Sequence, residues 1–112
     1  MDNEFVVILC IINNGFSETA MEAARQCGAR GGTVIHGRGT ASKEAEKFFN
    51  ISIQPEKEIV MILAIKEIKD SILKALYDVV GSNTQAQGIA FALPVEDVIG
   101  IDKKQKTPAT NN

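Results

Sequence analysis

With 112 residues, 45% of them apolar and 23% charged, the chain has the length of one ordinary domain and enough apolar matter for a core without a metal or disulfide staple. Twelve Lys+Arg against fourteen Asp+Glu leave a net charge of −2, and there is one Tyr and no Trp. Neither the electrostatic drive toward phosphate backbones nor the stacking surface for exposed bases is supplied, so nucleic acid is not an expected partner.

The start, Met1 to Glu4, is polar and acidic, and the apolar run after it ends at Ile12. A secretory leader needs a basic start and a cleavage site, and a membrane helix needs about 20 apolar residues. Direct membrane insertion is therefore not expected, and a cytoplasmic location is. Cys10 and Cys27 lie in apolar patterns away from any CxxC spacing and read as small buried residues, so no metal site is expected.

Phe5 to Ile12 is a continuous, β-branched run, the pattern of a strand buried on both faces. Asn13-Asn14-Gly15 breaks it, and Ser17 is placed to cap a helix from Glu18 with Ala20, Met21, Ala24 and Cys27 as its apolar stripe. Gly28 ends that helix. Thr33-Val34-Ile35 is a second short strand leading into a glycine-flanked turn, Gly37-Arg38-Gly39. From Thr40 to Lys57 the pattern is mixed: Ser42 to Phe49 suits a short helix, Ile51 and Ile53 alternate like a strand, and Pro55 closes the segment. Glu58 to Ala64 is a third strand. A second helix follows, with Ile68, Ile72, Leu76, Val79 and Val80 on one face and Asp70–Lys74 as a supporting pair; Gly81 and Asn83 stop it. Ile89 to Leu93 alternates as a fourth strand that Pro94 ends, and Val98 to Ile101 suits a last short one. Residues 103–112 form a polar tail expected to be flexible.

Strand–helix–strand twice over predicts an α+β, ferredoxin-like βαββαβ sandwich over residues 1–102, with an extra short C-terminal strand. Two helices cover only one face of a four-stranded sheet, yet the strands from Phe5 and from Ile59 are apolar at nearly every position. The other face therefore calls for cover by copies of the same chain. A charge at Ile8 or Ile62 is expected to abolish assembly or folding.

Gly28-Ala-Arg-Gly-Gly-Thr-Val-Ile-His-Gly-Arg-Gly39 resembles the second-strand region of the PII nitrogen-regulatory signal proteins, and Ile89-Ala-Phe-Ala-Leu-Pro-Val-Glu-Asp-Val-Ile-Gly-Ile101 resembles their fourth strand and the short strand after it. The resemblance implies a homotrimer with clefts between subunits, nucleotide binding there, and a long loop that contacts target proteins, often membrane transporters or nitrogen-metabolism enzymes. It places ligand contacts at Thr33, Gly37, Arg38, Gly39, Gln87, Gly88 and Ile89. It makes residues 40–57 the protruding loop, with Lys43, Glu44, Lys47, Phe48 and Phe49 as its partner-facing side chains. Members of the family are non-catalytic, and no catalytic residue is assigned here.

The sequence departs from that family at the phosphate contacts. Ile89 stands where the phosphate-loop lysine falls, Gln87 where an aspartate falls, and Gly100 and Asp102 where two arginines fall. The loop's usual modified tyrosine is absent. A triphosphate held by charge-assisted bonds loses much of its binding energy at such a site. The implied ligand is therefore less charged: AMP or ADP ahead of ATP, or a small carboxylate, with Arg30, His36, Arg38, Lys103 and Lys104 as the nearby cations. Gly37-Arg38-Gly39 by itself reads as a tight turn or as a ligand loop, and His36 as a polar strand-end residue or a metal ligand. The alternative readings are a divalent-cation-tolerance-like trimer and an interaction protein without a ligand. An enzyme is not expected, because no nucleophile and base are spaced for chemistry.

Overall fold

The computed structural model describes residues 4–40, 43–49 and 55–101. Its elements run in the order β1 (Phe5–Asn13), α1 (Ser17–Gln26), β2 (Thr33–Arg38), α2 (Lys43–Phe49), β3 (Glu56–Ile65), a 3₁₀ turn (Lys66–Ile68), α3 (Lys69–Val80) and β4 (Ile89–Val95). The strands form one antiparallel sheet in the order β2-β3-β1-β4. This is the ferredoxin-like arrangement expected from the element order. The most apolar strands, β1 and β3, take the centre, where both edges are paired.

Alternation along the strands sorts the side chains into two faces. Val6, Ile8, Cys10 and Ile12 of β1 and Val60, Ile62 and Ala64 of β3 are buried beneath the helices. Ala20, Met21 and Ala24 of α1 and Ile72, Leu76 and Val80 of α3 complete this core. Alanines on α1 let the helix lie close to the sheet, and a φ of +109° at Gly28 carries the chain out of it. Ile8 and Ile62 stand opposite one another in the centre of this helix-covered layer. They are folding positions, and the assembly test belongs to their neighbours on the other face.

That other face is apolar in three rows. Ile89, Ile11, Ile59 and Ile35 form one; Phe91, Leu9, Met61 and Thr33 the next; Leu93, Val7 and Leu63 the third. Spacings of about 4.8 Å between strands and about 6.8 Å between same-face residues make this roughly 400 Å² in projection, the size of the largest apolar patch on many monomers and one that is often functional.

Several local expectations are corrected. Ser17 does not cap α1 with its side chain; it is the helix's first residue. Gly37 and Arg38 are not in a turn, because β2 continues through them opposite Lys57 and Glu56. The strand expected from Glu58 starts at Glu56. Lys74 pairs with Asp78 at 3.1 Å and not with Asp70, which lies 3.7 Å from Lys69. Val79 is exposed. β4 passes through Pro94 to Val95; on an edge strand a proline facing outward removes no ladder bond. Residues 98–101 belong to none of the strands of the described sheet, so the last short strand expected there is not formed within the chain. Ile51, Ile53 and the tail 103–112 lie outside the described residues.

Candidate functional site

The residues expected at a ligand site fall on the two outer edges of the sheet. Thr33, Gly37 and Arg38 belong to β2, with Gly39 just beyond; Gln87 and Gly88 lead into β4 at Ile89. Two strands separate these groups, about 14 Å of sheet. The pairing nevertheless sets them at the same end: Gly37 is opposite Lys57, Lys57 is opposite Asn13, and Ile89 is opposite Ile11. A single chain therefore holds the two groups of expected residues apart. Alternation also places Thr33 and Gly37 on the side of the free sheet face, with His36 and Arg38 on the helix side.

Backbone donors at the expected glycines are already in use. The Gly39 N–H donates to the Pro55 carbonyl at 2.7 Å, and the Gly88 N–H donates to the Val80 carbonyl at 2.7 Å. A Cβ at Gly88 would lie 2.3 Å from that same carbonyl oxygen and 2.7 Å from Ile12 Cγ2. Glycine at 88 is therefore demanded by the end of α3, whatever else it does. Gln87 has a φ of +47° and an exposed side chain, so its amide remains open to solvent.

A polar network that the sequence did not single out ties this end of the sheet together. Glu58 is the one charged residue buried among the described ones, 7% exposed, and it stands in phase with Val60, Ile62 and Ala64 on the core face. The Gly15 and Ser17 N–H groups both donate to its Oε1, each at 3.2 Å. A carboxylate from β3 thus supplies the acceptor that α1 lacks locally, at the helix end where negative charge is favoured. Its Oε2 lies 3.8 Å from Nδ1 of the exposed His36. Beside it, Lys57 Nζ donates to Asn13 Oδ1 at 2.8 Å, and Asn13 Nδ2 donates to the Gln85 carbonyl at 2.9 Å. The visible signal for Glu58 was a lone charge at an inward position of a strand.

Removing that acceptor has a definite expected cost. Glu58→Ala leaves the Gly15 N–H of the preceding turn and the Ser17 N–H of the helix without this partner and should lower stability by about 1–3 kcal/mol, with Glu58→Gln losing less because one carbonyl oxygen remains. The denaturant midpoints of the two variants measure this. An alanine variant as stable as the parent would show that water replaces the carboxylate.

Two clefts flank the network. One is open and lined by His36, Gly37, Arg38, Glu56 and Lys57. The other, about 270 Å³, lies between α3 and β4 and is walled by apolar groups, including Cys10, Leu76, Val80 and Ile89. Burial pushes the Cys10 thiol up to about 11, so it stays protonated at neutral pH and is a poor nucleophile. Among the described residues no three His, Cys, Asp or Glu side chains gather as a metal site, and no helix is long and apolar enough to cross a membrane. On α2, Lys43, Glu44, Lys47 and Phe48 are exposed, Phe48 at 80%, and Phe49 ends the helix.

No protein-family model and no curated protein matches the chain. Solved structures do. One is Arabidopsis thaliana PII bound to citrate, at a TM-score of 0.64 and 22% identity, covering 94% of this chain and 85% of that one. Another is the B. subtilis GlnK–ATP complex, at a TM-score of 0.62 and 15% identity, covering 85% and 84%. The chain has the fold of the PII proteins.

Proposed function

We propose that the chain is a PII-like, non-catalytic signalling protein. In this reading it assembles as a homotrimer, senses a small anionic metabolite between subunits, and acts on a partner protein through residues 40–57. One observation carries it: the two half-sites lie at the same end of the sheet on opposite edges, so that the β2 end of one copy completes a cleft with the Gln87–Ile89 turn of the next. The apolar sheet face gives the copies a reason to associate. Exposed Lys43, Glu44, Lys47 and Phe48, with Phe49 beside them, are the surface offered to the partner; a membrane transporter or a nitrogen-metabolism protein is the class the fold suggests. The protein is taken to work in the cytoplasm.

The ligand must suit a site poor in cations and in free donors. Ile89 and Gly100 carry no charge, and the Gly39 and Gly88 N–H groups are engaged within the chain. In this reading Arg38 and His36 lie on one side of the ligand and the exposed Gln87 amide on the other, with Thr33 and Gly37 along β2. Charge-assisted hydrogen bonds are worth roughly 1.5–3 kcal/mol each, so a triphosphate suffers most from their loss. AMP or ADP is accordingly placed ahead of ATP, with a small carboxylate as the other class; among proteins of this fold, the plant structure holds citrate and the B. subtilis one ATP.

A thermal-shift series with AMP, ADP, ATP, cyclic dinucleotides, bicarbonate, citrate and 2-oxoglutarate tests this, since a ligand of the folded state raises its stability by mass action. AMP, ADP or a carboxylate should raise the midpoint by several degrees, and Gln87→Ala or Arg38→Ala should abolish the shift. Tight, magnesium-dependent ATP binding with AMP ignored would overturn the ligand assignment. No response to any of them would favour an interaction protein without a ligand, and sustained nucleotide turnover lost in Arg38→Ala would place the protein among enzymes.

A further inference from the structure

We infer that the cavity between α3 and β4 is a binding site for a small neutral molecule of one or two fused rings. The inference goes beyond the signalling role proposed above and does not depend on assembly, because the cavity lies on the helix-covered side of the sheet within one chain.

The cavity follows from a mismatch in side-chain size. Leu73, Leu76, Tyr77 and Val80 of α3 line it at the i, i+3, i+4, i+7 spacing of one helix stripe. Beneath the centre of the helix layer β1 and β3 supply Ile8, Ile12, Val60 and Ile62, whereas β4 supplies Ala90 and Ala92, with Ala90 opposite Cys10. The stripe thus overhangs short side chains at the sheet edge, and about 270 Å³ is left between them. Backbone walls off one end. A Cβ at Gly81 would lie 2.4 Å from the Tyr77 carbonyl oxygen, so no side chain can enter from that position to fill the space. Tyr77 and Ile89 line the cavity yet remain 57% and 61% exposed, which leaves it open to solvent on their side.

The lining decides what can occupy it. Among the described residues no charged side chain takes part. The polar groups around it are already engaged: the Gly88 N–H donates to the Val80 carbonyl at 2.7 Å and the Gly81 N–H to the Tyr77 carbonyl at 3.1 Å. The Gly81 carbonyl accepts from the Thr84 hydroxyl at 2.8 Å, and Asn83 Nδ2 donates to Tyr77 Oη at 3.3 Å. Cys10, 1% exposed, has no hydrogen-bond partner among the described residues, and burial keeps its thiol protonated, a soft and uncharged contact. An ion entering here gives up hydration for nothing, and a water needs two to four polar partners. A hydrocarbon ring gives up neither. An apolar cavity of about 150 Å³ holds one benzene. The larger volume here suits one ring or two fused ones.

Indole, neutral and two-ringed, is the probe, with indole-3-carboxylate as a charged control of similar shape. In an NMR titration of the full chain, the methyl resonances of Leu73, Leu76 and Val80 should shift saturably with indole and not with the carboxylate. Ala90→Leu fills the space from the edge strand and should weaken indole about tenfold or more. Tyr77→Ala removes a wall at an exposed position and should weaken it as well; should Ala90→Leu fail to fold, this variant decides. A folded parent whose cavity methyls show no saturable shift would overturn the inference. So would shifts confined to Val7 and Leu63, which would place indole on the helix-free face, or cavity shifts that survive both variants. Equal binding of the carboxylate would overturn the neutral chemistry assigned to the site.

Discussion

Ile62→Asp is expected to leave the chain unfolded. Ile62 is fully buried, sits opposite Ile8 in the central strand pair, and belongs to the core that α1 and α3 cover. The substitution forfeits about 1.5–3 kcal/mol of side-chain burial, and a carboxyl group placed among Ile8, Ile72 and their neighbours adds a further several kcal/mol whether it stays charged or takes up a proton. The sum rivals the roughly 5–15 kcal/mol that stabilises a domain of any size near this one. Circular dichroism and the dispersion of amide resonances report the outcome. A native spectrum would mean that the core lies elsewhere.

Leu63→Glu, one residue along, should do something different. Leu63 points to the helix-free face beside Val7 and is already 38% exposed, so a glutamate there stays hydrated in a single chain. Its charge becomes costly, by several kcal/mol for each contact, only when a second copy closes over it. The variant is expected to keep its fold and to run as a 12.1 kDa monomer, whereas the proposed assembly has the parent run as a trimer. Light scattering after gel filtration distinguishes the two. A Leu63→Glu protein of parental mass would show that the three apolar rows are not the contact surface, and a monomeric parent would end the assembly reading itself.

The contrast between these neighbours marks what sequence could and could not reveal. Runs such as Phe5–Ile12 and the 3.6-residue stripe of α3 announce an element without naming its partner, so the order of strands and helices was readable. Which face of a doubly apolar strand meets the helices was not; that depends on the register of β1 against β3, and Ile8 and Leu9 look alike until it is known. Long-range contacts were hidden for the same reason. Ser17 has the chemistry of a cap, yet the acceptor for α1 comes from Glu58, 41 residues away. Gly88 suggested a backbone open to a phosphate, while packing against Val80 and Ile12 already accounts for its missing side chain. Lys74 had acidic residues four positions to either side; it pairs with Asp78, while Asp70 lies beside Lys69. The candidate site was legible as two clusters of residue types. Their separation to opposite edges at one end of the sheet was not.

That separation bears on how such a protein responds to its own abundance. A pocket whose walls come from two chains exists only in the assembled form, so every molecule captured there also holds subunits together. Occupancy then varies with the concentration of the protein as well as with that of the metabolite. Under the proposed function, a chain below the threshold for association would be deaf to a metabolite that the complete pocket binds, and synthesis and turnover of the subunit would set the sensitivity of the response.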